Sequence, residues 1–296
     1  MTFRSGFACF VGRPNAGKST LTNALVGTKV AIASSKPQTT RHAVRGIVHR
    51  PDAQLVLVDT PGLHKPRTLL GERLNDVVRT TWSEVDVVAF CIPADQPVGR
   101  GDEYIAKELT ELKTPVIAVV TKGDLQPDRQ RMSEQLVAVA DLGDWAEIVP
   151  CSAVTQWQVD LLADLLVQRL PEGAALYPEG ELTDEPELVM AGELIREAAL
   201  EGVRDELPHS LAVVVEEMVP REGRADLVDV SATLFVERDS QKAIVIGRGG
   251  ERLKTVGTNA RRQIEALLGS RVYLDLRVKV AKDWQRDPKQ LRRLGF

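Results

Sequence analysis

Residues 12–20 read GRPNAGKST, between the apolar run FACFV (7–11) and a stretch of helical spacing, KSTLTNALVG (18–27). The pattern is GxxxxGK[ST], and an apolar strand running into a glycine-rich turn that opens a helix is the context it requires. Glycine lets backbone N–H groups close on phosphate oxygens, and the helix N-terminus adds partial positive charge. In this pattern the lysine, Lys18, reaches the β- and γ-phosphates, and the hydroxyl of Ser19 ligates Mg²⁺. Gly12, Arg13, Pro14, Asn15, Ala16, Gly17, Lys18, Ser19 and Thr20 are therefore candidate phosphate-site residues.

Outward from this loop, short apolar runs alternate with amphipathic stretches. The runs are GFACFV (6–11), LVLVD (55–59), VDVVAFCI (85–92), PVIAVVT (115–121) and EIVPCS (147–152). Between them lie LLGERLNDVVRTTW (69–82) and DEYIAKELTELK (102–113). Near-continuous Val/Ile/Leu strands separated by helices predict a mostly parallel, doubly wound α/β sheet covered on both faces. That domain is expected to span residues 1–170. The Pro/Gly-rich, acidic LPEGAALYPEGELTDEP (170–186) cannot build a core element, so 171–187 reads as a linker. Over 188–296 the rhythm changes. Helical spacing over Leu188–Leu207 precedes two strand-like runs, LAVVVEEMV (211–219) and VDVSATLFVER (228–238). A glycine-rich turn, the amphipathic ERLKTVGTNARRQIEALLG (251–269) and the alternating VYLDLRVKV (272–280) follow, which predicts a smaller α+β domain.

The chain has 296 residues, 43% hydrophobic and 27% charged, enough to bury a sizeable core. No apolar run approaches the roughly 20 residues that span a bilayer, and MTFRSGF lacks a signal-peptide layout. Cys9, Cys91 and Cys151 each stand inside an apolar run without CxxC spacing, so they read as buried thiols in a reducing compartment. A cytoplasmic protein is expected. The net charge of −4 is unevenly divided: residues 181–237 hold 15 acidic and 4 basic residues, residues 238–296 hold 6 and 15. A swing from −11 to +9 suggests that a polyanion meets the C-terminal end; a solvated surface whose halves neutralise each other is the plain alternative.

Three further motifs choose the nucleotide. VDTPG (58–62) ends a strand with an acid: Asp59 is placed to hold Mg²⁺ through water and the Gly62 N–H to meet a γ-phosphate, with Thr60 and Pro61 between them. VVTKGD (119–124) also ends a strand, and Asp124 can accept two hydrogen bonds from the N1–H and 2-amino edge of guanine. Adenine offers no such donor pair, so the carboxylate discriminates by being left unpaired. Thr121 and Lys122 complete that motif, and CSA (151–153) brings the backbone of Ser152 and Ala153 within reach of guanine O6.

These residues resemble the translation-factor-like GTPases, which read GxxxxGK[ST], a switch threonine, DxxG, [NT]KxD and SA. The resemblance implies that Thr40, in KPQTTR (36–41), ligates Mg²⁺ and senses the γ-phosphate, with Thr39 as the alternative. Lys18, Thr40 and Gly62 then form the catalytic set. Thr121 stands where asparagine is usual, so its bond to the base and the neighbouring loop is expected to be shortened or lost. Val154 replaces the lysine of SAK, with little expected loss because the backbone reads guanine there. Leu63 replaces the water-orienting glutamine of signalling GTPases, so intrinsic hydrolysis is expected to be slow. In related GTPases an asparagine at the place of Asn15 helps hold a K⁺ ion that acts like an arginine finger; equal GTPase rates in KCl and NaCl would contradict that role here.

The second glycine stretch, IVIGRGGERLK (244–254), lacks GK[ST] and is no second phosphate loop of that kind. Gly247-Arg248-Gly249-Gly250 fits the GxxG of KH domains, which clamps a single-stranded backbone beside an apolar base-reading groove. Arg248 can reach phosphate, and Lys242, Ile246, Arg252, Lys254, Arg261 and Arg262 surround the loop in sequence. By pattern KAIVIG is a strand; the type II KH fold, which the order of elements resembles, makes it a short helix.

A GTPase of this kind followed by a KH domain resembles the Era family of bacterial GTPases over essentially the whole chain, through GRPNAGKSTLTNAL, KPQTTRH, VDTPGLHKP, VIGRGGERLKTVG and VKV…W…LRRLGF. The resemblance implies GTP, GDP and Mg²⁺ as ligands, the 3′ end of 16S rRNA and the small (30S) ribosomal subunit as partners, and peripheral attachment at the inner face of the membrane as a second reading. No stable homo-oligomer is expected.

Overall fold

The structure is a computed structural model, and it describes residues 2–34, 36, 39–203 and 207–296. The chain divides into two compact units: Met1–Pro66 with Leu74–Asp184, and Arg67–Arg73 with Glu185–Phe296.

In the first unit, β1 (Arg4–Val11), β2 (Val44–Arg50), β3 (Ala53–Asp59), β4 (Val87–Pro93), β5 (Val116–Thr121) and β6 (Glu147–Pro150) form one sheet in the order β2-β3-β1-β4-β5-β6. All neighbours run parallel except β2, which pairs antiparallel with β3. The five parallel strands are the five apolar runs. β2, VRGIVHR, escapes the sequence reading because Arg45, Gly46 and His49 break up its apolar residues, although Val44, Gly46 and Ile47 are buried.

The strands alternate their side chains between two cores. Ala8, Phe10, Leu55, Leu57 and Ala89 face Leu21 of α1 (Lys18–Val26) and Leu162 and Leu166 of α5 (Val159–Val167). Cys9, Val11, Val58, Val88 and Phe90 pack with Val78 and Trp82 of α2 (Leu69–Glu84), Ile105 and Leu109 of α3 (Arg100–Leu109) and Val139 of α4 (Arg129–Ala140). Strands buried on both faces bring their carboxyl ends to one edge, where loops are free to hold a ligand. The cysteines are free and buried, and burial pushes the Cys151 thiol up to about 12, so it stays protonated and inert.

The stretch after α5 has no helix or strand of its own, yet it is stitched to the sheet edge. The Ser5 N–H donates to Pro171 O at 3.1 Å and the Ile47 N–H to Leu182 O at 2.9 Å. The buried Gln54 amide accepts from the Leu176 and Tyr177 N–H groups at 2.6 and 2.8 Å and donates to Tyr177 O at 2.9 Å.

The second unit contains α6 (Glu187–Leu200), a one-turn α7 (Leu207–Ser210), β7 (Ala212–Arg221), β8 (Arg224–Val236), α8 (Asp239–Ile246), α9 (Glu251–Leu268), β9 (Arg271–Val280) and α10 (Pro288–Arg293). Its sheet is β7-β8-β9, the first pair antiparallel and the second parallel. The helical spacing read through to Leu207 ends at Leu200 in α6; residues 204–206 lie outside the described residues. KAIVIG is helical in spite of its β-branched residues. The Gln241 side chain accepts from the Glu237 and Arg238 N–H groups at 2.9 and 3.1 Å, which satisfies orphan donors at the start of α8. Trp284 is fully buried, donates Nε1–H to Ser210 O at 3.0 Å and stacks on Phe296, so it closes this core.

Candidate nucleotide and nucleic-acid sites

The loop from Gly12 to Gly17 follows β1 directly and turns into α1. A Cβ on Gly12 would lie 2.5 Å from Cys91 O, and Gly17 has φ +89°, so both places need glycine. Asn15 is also left-handed, with φ 63°. At the loop's end Lys18 is 6% exposed, and its ammonium donates to the carbonyls of Gly12 and Arg13, each at 3.2 Å. The Arg13 guanidinium pairs with Asp102 of α3, which is wholly buried, at 3.2 Å.

Three oxygens converge beside Lys18. The Ser19 hydroxyl donates to Asp59 Oδ2 at 2.6 Å, the Thr40 hydroxyl donates to the same oxygen at 3.1 Å, and the two hydroxyls are 2.9 Å apart. Asp59 Oδ1 is buried and has no hydrogen-bond partner. A buried carboxylate with an orphan oxygen and two hydroxyls at one point is a hard-donor set that fits Mg²⁺. Burial pushes the Asp59 carboxyl up and the Lys18 ammonium down, while their mutual attraction and the Ser19 and Thr40 bonds to Asp59 oppose this. Thr40 joins this cluster and Thr39 does not: the Thr39 hydroxyl donates to Lys36 O at 2.6 Å. Pro37 and Gln38 of the same stretch lie outside the described residues.

The DxxG turn is pressed onto the phosphate loop. A Cβ on Gly62 would fall 2.7 Å from Pro14 N, and the Leu63 N–H donates to Gly12 O at 3.2 Å. Pro61 is buried. Thr60 departs from the expectation of a ligand contact: its buried hydroxyl donates to Phe10 O at 2.6 Å and ties the turn to β1. Leu63 is 1% exposed within the core, so it has neither the chemistry nor the position to orient a water. Pro14, Asn15, Gly17, Lys18, Ser19, Thr20, Thr39, Thr40 and Gly62 line one pocket, joined by Ala33 and Ser34, which the motifs did not single out.

Of the two outcomes expected for the Thr121 link to the neighbouring loop, shortened or lost, the structure retains a link. The Thr121 hydroxyl donates to Ala16 O at 2.6 Å, so threonine at the end of β5 is long enough to hold the phosphate loop. Lys122 is left-handed, with φ 57°, and its ammonium lies 3.8 Å from Asp95 Oδ1. Asp124 is exposed and accepts from the Ser152 hydroxyl at 2.6 Å. The Ser152 N–H donates to Trp157 O at 2.9 Å.

In the second unit the GxxG turn links α8 to α9. Gly247, Gly249 and Gly250 have φ of +75°, +60° and +84°. A Cβ on Gly247 would meet Arg252 Cβ at 2.7 Å, whereas Gly249 and Gly250 face open space. Gly250 caps α9 without a side-chain bond, and the Glu251 N–H, the first of that helix, donates to Arg248 O. Arg248 itself is exposed. Between α9 and β9 lies a groove of about 390 Å³ lined by Leu253, Gly257, Val272, Leu274 and Leu276, with Lys254, Arg261 and Tyr273 also on its walls. The sequence reading named the two basic residues and missed the apolar ones. Their signal was the i, i+4 spacing of 253 and 257 and the alternation of 272, 274 and 276. Lys242, Ile246 and Arg262 do not line this groove. Arg252 is a correction: its guanidinium donates to the carbonyls of Ala199 and Glu201, at 3.3 and 2.8 Å, and ties α9 to the end of α6.

A mononucleotide loop with a magnesium-type donor cluster, in one chain with a KH-type turn, defines a P-loop GTPase carrying an RNA-binding module. Comparison with known proteins agrees. The family described as "50S ribosome-binding GTPase" matches residues 7–122, and the KH domain family matches residues 206–285. GTPase Era of Streptomyces coelicolor is 72% identical, covering 99% of this chain and 95% of that protein. GTPase Era of Mycobacterium avium is 68% identical, covering 99% of both chains. A crystal structure of Era with MgGDPNP and nucleotides 1506–1542 of 16S ribosomal RNA superposes with a TM-score of 0.96 at 37% identity, over 99% of each chain. A single-residue variant of Aquifex aeolicus Era bound to GDP.AlF4⁻ superposes with a TM-score of 0.95 at 36% identity, again over 99% of each chain. The chain belongs to the Era family, and it is a GTPase.

Proposed function

We propose that this GTPase uses its nucleotide state to control binding of the 3′ end of 16S rRNA during small-subunit assembly. The observation that carries the switch is the convergence of Ser19, Thr40 and Asp59 at one point beside Lys18. Ser19 and Thr40 would hold Mg²⁺ directly and Asp59 through water; the metal neutralises charge on the β- and γ-phosphates. On this reading Lys18 exchanges the carbonyls of Gly12 and Arg13 for phosphate oxygens, which are stronger acceptors. Gly62 lines the same pocket as Lys18 and Ser19, which supports its N–H as the group that would meet a γ-phosphate. Thr40 and Gly62 then sense whether that phosphate is present, and their loops relax when hydrolysis removes it. With Leu63 in the core, no side chain of the DxxG turn orients the attacking water, which supports slow intrinsic hydrolysis.

For RNA, residues 188–296 supply two complementary surfaces: a turn where Gly249 and Gly250 leave open space beside Arg248 for the backbone, and an apolar groove flanked by Lys254 and Arg261 for bases. The relative solved with a 16S rRNA fragment supports that choice of polyanion. A basic surface also suits anionic lipid, but among the described residues no helix is long and apolar enough to cross a membrane, and the charge gathers around the GxxG turn. Binding of a single-stranded oligonucleotide copying the 16S 3′ end, set against phosphatidylserine vesicles, tests the reading. Submicromolar binding to the oligonucleotide with weak vesicle binding is expected; the reverse order would contradict it.

A further inference from the structure

Of the four tryptophans, all among the described residues, Trp157 alone is exposed, at 42%; Trp82 and Trp284 are buried and Trp145 packs on Phe90. An aromatic on an open loop contributes little to a core, yet its backbone is costly to build. Its neighbours Gln156 and Gln158 both hold left-handed conformations, with φ 59° and 57°, which residues with side chains rarely adopt. Strain of that kind persists where the surrounding contacts impose it.

The contacts of Trp157 lead to the base-reading turn. A Cβ placed on Gly123 would stand 2.6 Å from Cζ3 and 2.9 Å from Cε3 of the indole, so the ring lies flush against the backbone between Lys122 and Asp124. The Trp157 carbonyl accepts the Ser152 N–H at 2.9 Å, and the Ser152 hydroxyl donates to Asp124 Oδ1 at 2.6 Å. The Thr155 N–H donates to the same hydroxyl at 3.1 Å, which fixes its direction. The Gly123 N–H donates to Cys151 O at 2.9 Å and closes the circuit. Asp124 itself is exposed, so its direction depends on the bond from the buried Ser152 hydroxyl.

We infer that Trp157 is a positioning residue for guanine selectivity: its ring braces Gly123, its carbonyl braces Ser152, and together they aim the Asp124 carboxylate at the purine 2-amino edge. Gly123 follows from the same contact, because any side chain there would displace the indole. This inference rests on the guanine reading of Asp124 and adds the residue that sets its geometry.

The test compares GDP with IDP, which lacks only the 2-amino group, by equilibrium binding to the full chain at fixed Mg²⁺. The wild type is expected to prefer GDP by about tenfold, the size of one hydrogen bond to a charged acceptor. Trp157→Ala is expected to lower that preference about threefold or more, weakening GDP more than IDP, with Trp157→Phe retaining most of it. Gly123→Ala should also lower the preference in the wild type, but not further in Trp157→Ala, where the clashing ring is gone. Equal weakening of GDP and IDP in Trp157→Ala would mark a general loosening and overturn the inference. So would a Gly123→Ala effect that is the same with and without the ring. A wild type with no preference for GDP would instead overturn the guanine reading itself.

Discussion

Lys18→Ala is expected to lower kcat/KM for GTP by about 10²- to 10³-fold, the range found when one preorganised donor to a developing negative charge is removed. Lys18 is buried at the mouth of α1, where burial lowers its pKa and Asp59 raises it. Arriving phosphates add attraction of the same sign as Asp59, so the ammonium stays charged at the moment it is needed. The variant loses that charge and also leaves the Asp59 carboxylate buried without its nearest cation, which adds a modest loss of thermal stability. Lys18→Arg should rescue little, because a planar guanidinium does not fit where a compact ammonium reaches two carbonyls 3.2 Å away. Steady-state phosphate release, measured below the variant's own melting transition, checks this. A fall of less than tenfold would mean that Lys18 does not contact the transferring phosphate.

The second large effect is expected from Arg248→Asp combined with Gly249→Asp. The change removes one cation and sets two anions beside the uncapped start of α9, where the proposed RNA backbone lies. Loss of charge-assisted contacts together with new repulsion should weaken the 16S 3′-end oligonucleotide by about 100-fold. Gly249 has a left-handed φ of +60°, which Asp tolerates better than most residues, and nothing stands within 4 Å of its Cβ position, so the fold should survive. GTP hydrolysis without RNA should be unchanged, since both substitutions lie in the other unit. Retained RNA affinity would remove the GxxG turn from the interface.

Much of this molecule was legible before any coordinates. The inner parallel strands announce themselves because strands buried on both faces must be apolar throughout, and the four nucleotide motifs each fall at a strand end. What escaped follows from weaker physics. β2 carries no continuous apolar run, since Arg45, Gly46 and His49 interrupt it. The apolar wall of the KH groove is spread over α9 and β9, which meet only in the folded chain. Thr60 and Arg252 look like ligand-site residues by neighbourhood, but their side chains are committed to Phe10 O and to the carbonyls of Ala199 and Glu201. Sequence distance places such groups near a site without saying which way they turn. At Thr121 the sequence leaves open whether the link to the phosphate loop is shortened or lost, and the hydroxyl 2.6 Å from Ala16 O retains it. Thr40, the threonine the family resemblance favours, bonds to Ser19 and Asp59, contacts that sequence alone does not show.

The central claim is that one glycine loop governs the other. Its most direct test is a titration of the 16S 3′-end oligonucleotide into the protein saturated with Mg²⁺ and either GDP or GDPNP. The account predicts tighter RNA binding with GDPNP by about fivefold or more, and an equal tightening of GDPNP by saturating oligonucleotide, because a coupling between two sites is reciprocal. Identical RNA affinities in the two nucleotide states would contradict it.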